Sequence, residues 1–263
     1  MKKSNSLLIS VIMNCHNGKT YLKHSITSLL NQKYKNWELI FWDNNSSDNS
    51  SNILLSFNDK RIKYFRSKKF NSLYKSRNLA IKESSGKFIS FLDVDDWWDA
   101  NKLKEQVDLI KKRKNVNFLY SNFYNFNQFN KTKKIAYKYK LPTGNITQKL
   151  LNEYKIGILT VMINKKFFKN KKFNEKYNII GDFDFFINLS LKENIFCIQK
   201  PLAYYRIHNK NLSRKFEVIY NELKIWIKKN EKKFKKNKYN LFLLKTLLLR
   251  MNFKRIYSYV FQS

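Results

Sequence analysis

Three short, almost wholly apolar runs mark the first hundred residues, and each stops at a polar cluster. Ser6–Met13 (SLLISVIM) runs into Asn14–Asn17, Trp37–Trp42 (WELIFW) into Asp43–Asp48, and Lys87–Leu92 (KFISFL) into Asp93–Asp96. Runs of this length, rich in Ile, Leu and Phe, read as strands buried on both faces. Helical signals separate them. Leu22, Ile26, Leu29 and Leu30 form one stripe behind a possible Asn17 cap. Ile53 and Leu54 mark a short helix that Asp48 or a nearby Ser is expected to cap. Asn78–Ser84 reads as a short helix ended by Gly86, and Leu103, Val107 and Ile110 mark another helix. Lys63–Phe65 reads as a short strand. Strand–helix alternation predicts a mostly parallel sheet flanked by helices on both faces, an α/β class. Such sheets bind ligands at the carboxyl ends of their strands, where the three polar clusters fall.

The second half is less regular. Asn117–Phe129, Ile156–Ile163 and Ile195–Ile207 read as strands, with Pro201 at an edge or bend. Asp182–Leu191 reads as a short helix that opens on carboxylates. From about Lys215 onward the chain reads as Lys-rich helices.

The 263 residues suit one large domain, or a domain with a small appendage, and 43% are hydrophobic, which excludes a disordered chain. The net charge of +34 attracts anionic lipid, nucleic acid or phosphorylated substrates, although Lys- and Asn-rich usage also reflects an AT-biased genome. Cys15 and Cys197 each sit in an apolar run and read as a reduced pair. The Lys2–Lys3 pair with its apolar run mimics a leader, but it has no small-residue cleavage site, so a buried strand is expected. No segment approaches the ~18 apolar residues of a membrane span. These features predict a cytoplasmic protein, with membrane contact only at the inner face of the cell membrane.

Asp93, Asp95 and Asp96 fall within a span of four positions in a chain with only 19 acidic residues. Carboxylates this close repel, and burying them unpaired is costly. A divalent cation removes that cost, and oxygen ligands favour Mg²⁺ or Mn²⁺, which also take substrate phosphates. A plainer account has Asp95 or Asp96 capping the next helix.

The order LISVIMNCHNGKTYLKHSITSLLNQKYKNWELIFWDNNSSDNS, then RNLAIKESSGKFISFLDVDDWW, resembles the family 2 glycosyltransferases with their GT-A, Rossmann-like fold. The resemblance is close over residues 8 to about 110 and looser over 156–213. It implies a catalytic domain over 1–214, with a nucleotide-sugar half (1–115) and an acceptor half (116–214), followed by a basic helical C-terminal region (215–263). It implies an inverting transfer of a sugar from a nucleotide diphosphate to a glycan or lipid-linked acceptor in surface polysaccharide synthesis. A UDP-sugar is favoured, with dTDP- and GDP-sugars as alternatives. Asp93 and Asp95 match the family's Asp-x-Asp metal pair, assisted by Asp96, with Mn²⁺ or Mg²⁺ as cofactor. Asp43 and Asn44 stand where the family binds the nucleobase with two acidic residues, and Asn44 departs from that pattern. Asn14 and His16 would face the nucleoside, and Arg77 would reach the donor, although a loop His and a helix-start Arg are also ordinary. Ile180-Gly181-Asp182 resembles the Glu-Asp motif, with Gly181 in the Glu position and Asp182 as the base that takes the acceptor's proton. Asp184 competes for that role, and Asp182 also reads as a helix cap. In Tyr205–Ser213, His208 would complete the metal site and Arg206 would hold phosphate. Trp97 and Trp98 suit either sugar stacking or core packing.

Residues 215–263 interleave Lys with Ile, Trp, Phe and Leu. That pattern suits a helix lying on an anionic membrane, a helix packed on the domain, or a partner's footprint. Two other functions stay open. A nucleotidyltransferase lacks the expected Gly-rich loop after the first strand. A nucleic-acid-binding protein fits the charge, but the carboxylates at Asp43 and Asp93–Asp96 oppose phosphate, so no specific nucleic acid is expected. The Asn44 and Gly181 departures would also fit an inactive family-like subunit.

Overall fold

A computed structural model describes the backbone of residues 6–261 and the side chains of 6–253; the Lys2–Lys3 pair lies outside the described residues. The first half runs β1 (Ile9–Cys15), α1 (Lys19–Leu30), β2 (Trp37–Asp43), α2 (Ser50–Leu55), β3 (Ile62–Arg66), α3 (Leu73–Lys82) and β4 (Phe88–Phe91). The two-residue β5 (Trp97–Trp98), α4 (Lys102–Lys112), β6 (Phe118–Asn127), β7 (Lys133–Ile135) and α5 (Thr147–Asn152) follow. A 3-10 turn at Ile158–Thr160 leads to β8 (Met162–Asn164), α6 (Phe167–Asn170), α7 (Gly181–Ser190) and β9 (Phe196–Ile207). The chain closes with α8 (Phe216–Lys236) and α9 (Phe242–Phe261).

The strands form one sheet in the order β3-β2-β1-β4-β8-β6-β9-β5, with β7 beside β6. The first four are parallel, while β8 runs antiparallel to β4 and β6, so the sheet is mixed. Pairing shifts register in β6 just before Pro201 of β9 is met, which places the expected bend. Alternate residues of β1 and β2 feed two cores. Val11, Met13 and Leu39 pack with Leu22 and Ile26 of α1 and Leu103 of α4. Ile12 and Ile40 pack with Ala80 of α3, Phe186 of α7 and Trp226 of α8. Burial on both faces explains why the strand runs are continuous rather than alternating.

Local signals differ from expectation where a distant residue takes over. Asn17 does not cap α1. It sits at φ 53, and its side-chain oxygen accepts from the amides of Ser47 and Asp48 at 2.8 and 3.2 Å. Asp48 in turn accepts from the Lys19 amide at the start of α1, at 3.1 Å. The two loops cap each other across the strand ends. Helix α3 starts at Leu73, capped by Ser72, five residues before the expected start. Only Met162 and Ile163 of the expected Ile156–Ile163 strand lie in β8, because the 3-10 turn interrupts it.

Gly86 does not end α3. A Cβ there would lie 2.6 Å from the Ser10 amide nitrogen, so the position is glycine because β1 passes against it. The same corner holds Glu38, buried, which accepts from Ser10 Oγ and the Ser85 amide at 2.5 Å and from Lys63 Nζ at 2.7 Å. Burial alone would push its carboxyl up, but these hydrogen bonds and the Lys63 charge outweigh it and hold it below the usual range. A lowered folded-state value means this contribution to stability is present above about pH 4.3 and is lost as pH falls through the lowered value. Glu38→Gln is expected to cost about 3 kcal/mol in urea unfolding at neutral pH. The difference between variant and wild type should shrink on acidification; a pH-independent difference would reject the charged cluster as its cause.

Candidate active site

Side chains from the ends of β1 and β4, from α3 and from the start of α7 meet at a cleft of about 1070 Å³. Asn14, His16, Arg77, Asp93, Asp95, Asp96 and Asp182 all lie on its wall. Both amide atoms of Asn14 are buried with no hydrogen-bond partner among the described residues. His16 Nδ1 lies 3.0 Å from the Asn44 carbonyl oxygen, and its ring meets Phe70 edge-on.

Arg77 is almost fully buried, and its Nη2 donates to both oxygens of Asp93 at 2.8 and 2.9 Å. Asp95 and Asp96 have less relief. Burial, then the Asp93 charge, pushes the Asp95 carboxyl up, opposed by His208, whose Nε2 lies 2.9 Å from Asp95 Oδ2. Burial, then Asp95 and Asp93, pushes Asp96 well up, and its Oδ1 accepts from the Arg206 amide at 2.9 Å. Three carboxylates of the β4 loop thus lie close together, and Arg77 hydrogen-bonds only Asp93 among them.

That surplus is the test for a divalent cation. Among the described residues no three His, Cys, Asp or Glu side chains converge as a full ligand set. Asp95 faces the cleft with His208 Nε2 2.9 Å from its Oδ2, so Asp95 would be the ligand and His208 its orienting partner, for an ion that takes its remaining ligands from substrate phosphates. Asp96 is committed to the β9 backbone and orients the loop.

Four expected site residues are turned away from the cleft or spent on scaffolding. Asp43 is fully buried and accepts from the Ser46 amide at 2.7 Å and from Tyr64 Oη at 2.8 Å. Asn44 pairs through its whole amide with the backbone of Asn71, at 2.8 and 2.9 Å. Arg206 is not on the cleft wall: its guanidinium donates to the Asp95 carbonyl oxygen at 2.7 Å and to Gln128 Oε1 at 2.6 Å, and it lies over Trp97. His208 reaches the cleft only through Asp95. Trp97 stacks on Tyr204 at 4.8 Å, and buried Trp98 donates Nε1–H to the Leu159 carbonyl oxygen. Both tryptophans pack the loop.

Asp182 and Asp184 separate cleanly. Asp182 faces the cleft with Tyr74 Oη 3.0 Å from its Oδ1. Burial pushes its carboxyl up, and the Arg77 charge opposes that. Asp184 faces α8, where its Oδ1 accepts from Trp226 Nε1 at 2.8 Å. The Tyr74 ring explains Gly181: a Cβ at 181 would lie 2.5 Å from Tyr74 Cε2, so a Glu cannot stand there. Sequence reasoning missed Tyr74, 108 residues from its partner. It also missed Glu222 of α8, a buried acid in a lysine-rich segment whose oxygens accept from the amides of Asn178, Ile179 and Ile180 at 2.5, 3.0 and 3.1 Å. Glu222 pins the 178–180 segment that leads into α7, and with it the start of the helix that carries Asp182. Its scarcity in that segment was the only available signal.

Residues 10–189 match the family model for Glycosyl transferase family 2. The chain belongs to that family. Among curated relatives, an Escherichia coli UDP-Glc:alpha-D-GlcNAc-diphosphoundecaprenol beta-1,3-glucosyltransferase, WfgD, is 39% identical over 60% of this chain and 60% of its own. A second Escherichia coli protein named for the same activity, WfaP, is 29% identical over 82% of this chain and 84% of its own. The match thus spans about three-fifths of the first of these relatives. The fold of this family 2 chain is that of Staphylococcus aureus TarS 1–349 in complex with UDP-GlcNAc, at TM-score 0.66 and 18% identity, covering 82% of this chain and 66% of TarS. The Pyrobaculum calidifontis mannosyltransferase PcManGT, in complex with GDP-Man and Mn²⁺, aligns at TM-score 0.62 and 10% identity over 84% of this chain and 64% of its own.

Proposed function

We propose that this family 2 chain is an inverting glycosyltransferase. It moves a sugar from a UDP-linked donor to a lipid-linked glycan in surface polysaccharide synthesis. The observation that carries the reading is that Asp95, the Arg77–Asp93 pair and Asp182 face one cleft. The activities for which WfgD and WfaP are named support the donor and the acceptor class.

In this reading Asp95, backed by His208, holds Mn²⁺ or Mg²⁺. When bound, that ion offsets the charge on the departing diphosphate. Arg77 fixes Asp93 beside it, donating to both of its oxygens. Asn14 supplies the open amide on the nucleoside side. Asp182 accepts the proton of an acceptor hydroxyl while that oxygen bonds to the anomeric carbon; the carbon's bond to the diphosphate breaks, and its electron pair leaves with the nucleotide. Tyr74 and Glu222 position Asp182.

The tail reading divides between its two helices. The apolar stripe of α8 is buried, with Trp226 and Phe234 in the main core. Helix α9 leaves Phe242 and Phe253 67% and 71% exposed. No described helix is long and apolar enough to cross a membrane. We assign α9 a peripheral contact with an anionic membrane at the cytoplasmic face.

A thermal-shift panel of UDP, GDP and dTDP with and without Mn²⁺ tests the reading. UDP with Mn²⁺ is expected to raise Tm by more than the sum of the two alone. Additive or absent shifts for all three nucleotides would reject it.

A further inference from the structure

Away from the β4-loop carboxylates the cleft wall is mostly apolar, interrupted by Asn152, Glu153, Lys155 and Thr246. Leu151, Ile158, Ile219 and Leu223 line it, and α9 completes it with Leu243, Leu247 and Arg250. These three α9 residues stand at i, i+4 and i+7, so they share one face of the helix. The neighbouring face carries Leu244 and Met251 into the core, which fixes how α9 is turned. Leu243 and Leu247 are nonetheless 46% and 48% exposed. Arg250 makes no hydrogen bond or ion pair with a described residue, although three acidic residues line the same cleft from the β4 loop.

A bare glycan would find few hydrogen-bonding groups on such a wall. An amphiphile with an aliphatic chain and an anionic head matches both parts of it. The third face of α9, with Phe242, Leu249 and Phe253 exposed, is apolar too, so a lipid can pass along the helix between bilayer and cleft. We propose that the α9 side of the cleft is the groove for a long-chain lipid diphosphate, Leu243 and Leu247 taking the chain and Arg250 the diphosphate. This rests on the transferase reading above and assigns its acceptor a place.

Calorimetric titration of the full chain with farnesyl diphosphate and with inorganic pyrophosphate, without divalent metal, tests it. Farnesyl diphosphate is expected to bind at least about tenfold more tightly, since each buried methylene adds favourable transfer energy. A Leu243→Ser/Leu247→Ser double variant should lose most of that preference. Arg250→Gln should weaken both probes several-fold and keep their ratio. Equal affinity for the two probes in the wild type, or an unchanged preference in the double variant, would overturn the groove. UDP binding with Mn²⁺, measured in parallel, separates the two ideas. Its absence alongside an intact chain-length preference removes the transferase reading and keeps the groove. Its presence without that preference removes the groove alone.

Discussion

Converting Asp182 to Asn is expected to cut turnover about a thousandfold while leaving UDP affinity within about twofold. Asn keeps the size of the side chain and can still accept from Tyr74, but it cannot take a proton. The fold should hold. Burial raises the Asp182 carboxyl, so its ionisation opposes folding above the ordinary Asp range, and the neutral amide relieves that cost. Tm is therefore expected to stay level or rise. The same raised carboxyl predicts the acid limb of the kcat–pH profile in the wild type: the base works deprotonated, so activity falls as pH drops through a value above that of a free Asp. Tyr74→Phe removes a donor to the ionised form and should move that limb further up. A loss of UDP affinity equal to the loss of turnover would instead place Asp182 on the donor.

Asp95→Ala is expected to abolish the joint effect of UDP and Mn²⁺ on Tm and to lower transfer by about a thousandfold or more. Stability should not fall with it. Burial and the Asp93 charge both push the Asp95 carboxyl up, so removing it relieves an unfavourable burial within the loop. That sign separates a ligand from a brace: a structural carboxylate would lower Tm when removed. Full transfer activity in the variant would take the metal from this corner of the cleft.

The parallel half of the sheet was legible because both its faces are covered, and double coverage leaves a continuous apolar run in the sequence. The three polar clusters at the strand ends were legible for the same reason, since the runs stop where the cover stops. What escaped were contacts made across space. Nothing near Asn17 announces that Asp48 caps α1, and nothing near Gly181 announces the ring of Tyr74. Asp43 and Asn44 show the converse. Their place in the order was clear, but the hydrogen bonds that occupy them come from Tyr64 and Asn71. The two-residue β5 carries no periodicity at all. The run behind Ile156–Ile163 is apolar because it is buried, and burial alone does not distinguish a strand from a 3-10 turn.

The clasp between Glu222 and the backbone of 178–180 bears on how the molecule can be divided. A fragment ending at residue 214 would retain every cleft carboxylate yet lose Trp226 and Phe234 from the core and leave the three amide hydrogens just before α7 with no acceptor. Trimming before α8 therefore blunts the proton-accepting end of the machine first, and a shortened chain that still grips nucleotide should release little sugar.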